Sequence, residues 1–288
     1  MNKKFSIIRL VATVMIIASF TVMSVNAAAP TLKGKVVVNG SSALLPLTLQ
    51  AAKEFKQANP GVMISASASS SIAGPQGVEK NAAQIGACDW DATKDVPGFK
   101  AFSGQVAHPV AVIPFATIVH KDVKVSNLTT KQLQGIFSGE ITNWKEVGGD
   151  DADIIVVNRA FGSGTRVNYQ LKALDSAEFM KSGKNYKEVK SSGDMYTAVK
   201  TTPNSIGYID LVYVKDDVKA VKFNGIEATT ENVVNGKYAI WAYGYYMTKP
   251  NPDAATKAFI EFIQSNKFQQ GTLKKLKFIP VSSMKTQK

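Results

Sequence analysis

Cysteine is almost absent from this 288-residue sequence. Cys88 stands alone, so no disulfide can form within the chain and a zinc site built on several cysteines is excluded. Histidine is nearly as scarce. His108 and His120 are the only two, and neither has a neighbour at metal-ligand spacing, so each reads as structural or solvent-facing and no metal or other cofactor is expected. Beyond the first 27 residues no apolar run is long enough to cross a bilayer. Internal repeats and long low-complexity linkers are also lacking. Acidic residues are in deficit, 22 against 34 Lys and Arg, which leaves a net charge of +12. A basic excess favours anionic partners: nucleic acid, a membrane surface or a small anion. The basic residues are dispersed apart from the Lys-rich end (Lys274, Lys275, Lys277, Lys285, Lys288), which argues against nucleic acid.

The beginning of the chain reads as a targeting segment. Lys3, Lys4 and Arg9 precede a largely apolar stretch from Ile7 to Val25, and Val25-Asn26-Ala27 places small residues where a signal peptidase cuts. Residues 1–27 are therefore expected to be a signal peptide, cleaved near Ala27, with the mature protein periplasmic or secreted. An N-terminal membrane anchor is the competing reading, because the apolar run is nearly long enough to span. No cysteine follows it closely to carry a lipid. Cleavage removes three basic and no acidic residues, leaving 261 residues at net charge +9. That length is near the point where one core divides into two domains.

The remaining chain alternates strand, loop and helix, which predicts an α/β class. Val36-Val37-Val38 is a buried strand ending at Asn39-Gly40. Leu47, Leu49, Ala52 and Phe55 give a helix from Pro46 to Gln57 its apolar face, and Asn59-Pro60-Gly61 stops it. Val62 to Ala68 and Gln84 to Ala87 read as strands, with a helix to about Asn81 between them. Val110 to Val119 is a strongly apolar strand interrupted by Pro114. Further on, the pattern predicts a helix over Leu128 to Phe137 capped by Thr129 or Thr130, and a strand over Ile154 to Val157. A helix is expected from Val167, strands over Ser205 to Ile209 and Tyr238 to Met247, a helix over Ala254 to Gln264, and a weaker one over Phe268 to Leu276. Crossings near 113–118 and 237–243 would make the first domain discontinuous, an arrangement periodicity alone does not establish.

Three small-residue loops stand where a strand gives way to a helix. In Gly40-Ser41-Ser42-Ala43 the backbone can approach an anion closely and the helix N-terminus adds free N–H donors, although a serine there serves equally as a cap. Ser69-Ser70-Ser71 repeats the arrangement with the same ambiguity. Arg159-Ala160-Phe161-Gly162-Ser163-Gly164-Thr165-Arg166 is more specific: hydroxyls from Ser163 and Thr165, the amide of Gly164 and the planar fork of Arg159 suit a tetrahedral oxyanion. A structural arginine is the alternative. Asp89, directly after a strand, is a solvated turn carboxylate, another helix cap, or an acceptor for the proton of a bound anion. Monohydrogen phosphate carries such a proton and sulfate does not, so a buried carboxylate would reject sulfate.

Between Val36 and Pro280 the sequence resembles the phosphate-binding proteins of bacterial phosphate ABC transporters. The likeness rests on Gly40 to Ala43, the Ser71 loop, Ile85-Gly86-Ala87, Ile136 to Trp144 (IFSGEITNW) and Gly162 to Arg166 (GSGTR), the last two forming a specific pair. The resemblance implies a two-lobed periplasmic-binding-protein fold of type II-like form, with 33–115 plus 240–288 as one lobe and 116–239 as the other. It implies inorganic phosphate held in the cleft by Ser41, Ser42, Ala43 and Ser71, with Asp89 accepting the phosphate proton and Arg159, Ser163, Gly164 and Thr165 completing the cage. A monomer delivering phosphate to a membrane permease, without catalysis, is the function so implied. Phe161 departs from the pattern, since many relatives have there a carboxylate that orients the arginine; Asp91 or another carboxylate must steady Arg159 instead. Cys88 and Trp90 depart as well.

Phe137, Ile141 and Trp144 are expected to pack a helix–turn core with Gly139 at the turn, and Tyr238, Trp241, Tyr243, Tyr245 and Tyr246 to pack a strand. Three alternatives remain at this point: a receptor for sulfate, molybdate or arsenate, an exported phosphatase with Ser163 as nucleophile, and a phosphate-sensing adhesin. The phosphatase reading is weakened because Phe161 replaces the first glycine of a Gly-x-Ser-x-Gly elbow.

Overall fold

The computed structural model describes residues 32–284, so the expected signal segment, 1–27, lies outside the described residues. The chain opens with β1 (Gly34–Gly40), α1 (Leu45–Ala58), β2 (Val62–Ala66), α2 (Ala73–Glu79) and β3 (Ile85–Cys88). β1 pairs in parallel with both β2 and β3, so the carboxyl ends of these strands face one way. The helix α1 is stopped at Asn59, as the Asn-Pro-Gly run predicts. Its buried face is Leu47, Thr48, Ala51 and Phe55 rather than one including Leu49, which is 52% exposed. Residues 47, 51 and 55 recur every four positions, and Leu49 falls on the opposite side of the turn.

β4 (Val106–His120) is longer than its apolar core suggested, and every residue from Val110 onward is buried. Pro114 does not interrupt it. The strand is antiparallel to β11 (Trp241–Thr248) over residues 106–114 and to β8 (Ser205–Asp210) over residues 115–119, so one strand serves both halves of a nine-stranded sheet. The sheet order is β2-β1-β3-β11-β4-β8-β6-β7, with β9 (Val218–Ala220) also on β4. β6 (Ile155–Arg159) lies parallel to β8 and to β7 (Tyr186–Val189). A separate pair joins β5 (Asn127–Leu128) to β10 (Lys222–Phe223).

Local signals account for the helices. Thr129 caps α3 (Thr130–Ser138) in a reciprocal box with Gln132, and Gly139 ends it at φ 86°, a left-handed conformation that suits glycine. Phe137 and Trp144 are buried and Ile141 packs against the same core, as the sequence predicts. α4 (Gly164–Ala173) begins three residues earlier than its periodicity indicated, because Ser163 caps it through Arg166 N–H. α5 (Ser192–Thr201), with Ser191 and Asp194 as a capping box, and the edge strand β7 are elements that the periodicity does not reveal. α6 (Thr230–Val234) and the non-strand residues Tyr238 to Ile240 lead into β11, and α7 (Ala254–Gln264) has the predicted bounds. The weak final helix is a short turn, Asn266–Phe268, continued by a π-helical stretch, Gln269–Leu273.

Candidate functional site

The polar residues singled out in the sequence meet at the carboxyl ends of the parallel strands, where open α/β sheets place their ligands. From one half come Ser41 and Ser42 after β1, the Ser71 loop after β2, and Asp89 after β3. From the other come Arg159 at the end of β6 and Ser163, Gly164 and Thr165 at the start of α4. Ser41, Ser42, Ser71, Asp89, Arg159, Ser163 and Thr165 are each no more than 3% exposed. Polar side chains are buried at this density only where they satisfy one another or a ligand.

On the Asp89 side, Ser41 serves as a helix cap and as a donor to the carboxylate. Its Oγ accepts from the amides of Ala43 (3.1 Å) and Leu44 (3.4 Å) at the helix start, while its own proton goes to Asp89 Oδ1. Ser71 Oγ accepts from Asp89 N–H at 3.3 Å. Burial pushes the Asp89 carboxyl up, opposed by Ser41, by the charge of Arg159, and by Ser71 and Thr165. Asn168 of α4 donates to the backbone carbonyls of Asp89 and Gly164, each at 2.9 Å, and ties the two halves together. Gly164 is tightly enclosed here: a Cβ on it would lie 2.6 Å from Asp89 Cβ and 2.7 Å from Asp89 Oδ2. A second tie runs from Ile72 N–H to the Gly162 carbonyl (3.2 Å).

Arg159 is the centre of the other side. Its backbone N–H donates to Asn158 Oδ1 (2.9 Å) and Tyr208 Oη (3.3 Å). Arg166 props its carbonyl from outside with a 2.7 Å hydrogen bond. The guanidinium donates through Nη1 to Ser192 Oγ (3.3 Å) and through Nη2 to Ser42 Oγ (3.2 Å) and the Lys190 carbonyl (3.0 Å). Nε is buried without a partner among the described residues. Burial pulls the guanidinium down from its usual range, with Tyr208, Asp210, Asp89 and Asp194 opposing. A guanidinium nonetheless keeps its charge.

Two residues of this cluster were not read from the sequence: Ser192, the first residue of α5, and Asp210, the last of β8. Ser192 Oγ donates to Asp210 Oδ2 at 2.8 Å, and its N–H donates to Ser42 Oγ at 2.9 Å. Burial pushes the Asp210 carboxyl up to about 7, with Asp89 adding to the rise and Ser192 and Arg159 opposing it. Asp91 does not steady Arg159, contrary to one expectation. Its carboxylate takes Thr93 N–H (3.0 Å) and pairs with Lys94 (3.0 Å), because the chain turns outward after Asp89. Phe161 is 70% exposed and stacks on Phe99 at 4.7 Å, and Phe99 stacks on Trp90 at 5.2 Å, so the residue forms a hydrophobic bridge between the halves. Ser163 Oγ accepts from Arg166 N–H, and the histidines are engaged elsewhere, His108 with Thr248 and His120 beside Asp122. Of the aromatic run, Tyr238 and Tyr246 are buried on the core side, while Trp241, Tyr243 and Tyr245 are half-buried.

A family model described as a PBP superfamily domain matches residues 25–267. The chain is similar to the phosphate-binding protein PstS of Bacillus subtilis, at 37% identity over 253 residues that cover 88% of this chain and 82% of the relative. It is also similar to the protein of that name from Borreliella burgdorferi, at 28% identity, covering 80% of this chain and 85% of the relative. Among solved structures it is similar to a Clostridium perfringens protein described as a phosphate ABC transporter substrate-binding protein with bound phosphate. That match has a TM-score of 0.79 and 34% identity and covers 86% of this chain and all of the other. An ABC-type phosphate transport receptor from Vibrio cholerae matches with a TM-score of 0.68 and 27% identity, covering 85% and 99%. The α/β, two-lobed architecture expected from the sequence is therefore the fold of this chain.

Proposed function

This chain belongs to the phosphate-binding proteins of the PBP superfamily, and on that premise we propose that it captures inorganic phosphate outside the cytoplasm and delivers it to an ABC transporter permease. The observation that carries the reading is the convergence of Arg159, Asp89 and three serine-bearing helix starts, all buried, at strand ends from both halves of the sheet. Arg159 supplies the fixed positive charge. Hydroxyls of Ser41, Ser42, Ser71, Ser163 and Thr165, with the amides of Ala43 and Gly164, replace the water that the anion gives up. The starts of α1 and α4 add their unsatisfied N–H groups and a favourable field.

Asp89 supplies selectivity. Phosphate presents an O–H to this carboxylate, whereas sulfate would bring a bare oxygen against a buried negative charge. Because donors come from both lobes, 33–115 plus 240–288 and 116–239, the bound anion favours the state in which they are together. Binding rather than catalysis is supported by Ser163, whose oxygen is engaged as a helix cap with no histidine bonded to it. The acting form is a monomer, exported after cleavage near Ala27. Titration calorimetry on protein freed of carried-over phosphate tests the reading. One tight site per chain for phosphate, competed weakly by sulfate, is the expected result, and no heat of phosphate binding would refute it.

A further inference from the structure

The hydrogen-bond directions around Ser192 are dictated by how many protons each group has. Ser192 has one hydroxyl proton, and Asp210 Oδ2 at 2.8 Å takes it once the carboxylate is ionised, above about pH 7, because an ionised carboxylate only accepts. In the 3.1 Å contact between Ser192 Oγ and Ser42 Oγ, Ser42 is then the donor. The oxygen of Ser42 meanwhile accepts from Ser192 N–H and Arg159 Nη2, and the oxygen of Ser192 from Arg159 Nη1. Both arms of the guanidinium are thereby held by two serine oxygens whose orientation ends at Asp210. Ser42 keeps one proton that can turn from Ser192 to an anion.

We propose that Asp210 is a positioning residue of the anion site, acting through Ser192 to hold the Arg159 fork and to leave the Ser42 hydroxyl proton free for the ligand. The proposal rests on the phosphate-binding reading above. It assigns the steadying of Arg159 to a carboxylate two bonds away through a serine, in a chain where Phe161 is turned outward and Asp91 is occupied with Thr93 and Lys94. The charged and titratable groups that face Asp210 are Arg159 on β6, Asp89 across the site, and Tyr213 on the turn after β8, whose hydroxyl donates to the Ser42 carbonyl at 3.0 Å. Asp210 is fully buried, and among the described residues its Oδ1 has no hydrogen-bond partner, so none of them competes with Ser192 for the carboxylate on that side.

The test is phosphate affinity by calorimetry, with the thermal midpoint measured without phosphate, for the wild type, Ser192→Ala, Asp210→Ala, Asp210→Asn and the Ser192→Ala/Asp210→Ala double variant. Loss of the relay is expected to weaken phosphate binding about tenfold in Ser192→Ala and in Asp210→Ala, with no further loss in the double variant. Asp210→Asn keeps an oxygen to accept the Ser192 proton, and its affinity is expected within about threefold of wild type. That rescue is a result that a role in folding alone would not produce. Should Asp210→Ala fail to fold, Ser192→Ala and Asp210→Asn still decide the matter. Wild-type binding with Ser192→Ala unchanged, or with Asp210→Asn as weak as Ser192→Ala, would overturn the relay alone. A wild type that binds no phosphate would overturn the functional reading and the relay with it.

Discussion

Asp89 and Asp210 are both fully buried carboxylates at strand ends beside Arg159, yet their surroundings differ in one respect. Ser41, Ser71 and Thr165 all supply hydrogen bonds on the Asp89 side, whereas Asp210 has, among the described residues, Ser192 on one oxygen and nothing on the other. Burial raises both, but the poorly supplied Asp210 is pushed up to about 7. The contrast teaches that position at a strand end does not by itself define a ligand group. On the proposed reading, the number and direction of donors separate a carboxylate that faces the anion from one that supports a neighbour that does.

The largest test of the contrast is pH. Between about 4 and about 7 the folded protein holds a proton on Asp210 that the unfolded chain has given up. The unfolded state then binds fewer protons, so stability falls as pH rises through this window and levels off above it. The full shift corresponds to a limit on the order of 4 kcal/mol, and Asp89, also raised, acts in the same direction. Thermal midpoints of the ligand-free protein should therefore drop from pH 5 to pH 8, and the drop should shrink in Asp210→Asn. An equal drop in the variant would remove Asp210 from the account.

Asp89→Asn comes next. Replacing the acceptor by an amide that meets the phosphate proton poorly should weaken phosphate binding by about a hundredfold and bring sulfate into measurable competition. Unchanged selectivity in competition calorimetry would reverse the roles given to the two carboxylates. Gly164→Ala probes the same side by volume. Its Cβ would press on Asp89, with a cost of about 2 kcal/mol from overpacking, read as weaker phosphate binding. Phe161→Ala should have the smallest effect. Removing one member of the Trp90–Phe99–Phe161 stack is expected to cost about 1 kcal/mol and to speed phosphate release about fivefold in stopped-flow measurements.

Legibility in the sequence followed the same division. Asp89 and the loops at Ser41 and Ser71 stand after strands with strong apolar signatures, so their placement at strand ends could be read directly. Arg159 was marked by the glycine- and serine-rich turn that follows β6. Ser192 follows β7, which reads Tyr-Lys-Glu-Val at the sheet edge and carries no apolar run to reveal it. Without that strand, nothing flanking Ser191-Ser192-Gly193-Asp194 marks it, although serine with an acid three residues later is a capping-box signal. Asp210 is a single acid ending a strand that was recognised, and nothing in its spacing distinguishes it from a turn residue. The start of α4 is hidden in the sequence because its cap, Ser163, lies inside the glycine-rich motif itself. Leu49 was misassigned for a simpler reason: a short helix with apolar residues on two sides does not declare which side is inward.

The length of β4 has a consequence for how the molecule comes apart. A single strand supplies partners to β11 with eight of its first nine residues, Val110 being bulged, and to β8 with the five that follow. Neither half can lose its share of that strand without exposing unpaired backbone at the boundary with the other. Heating should accordingly melt the protein in one cooperative step, with calorimetric and van't Hoff enthalpies equal, rather than as two independently unfolding pieces.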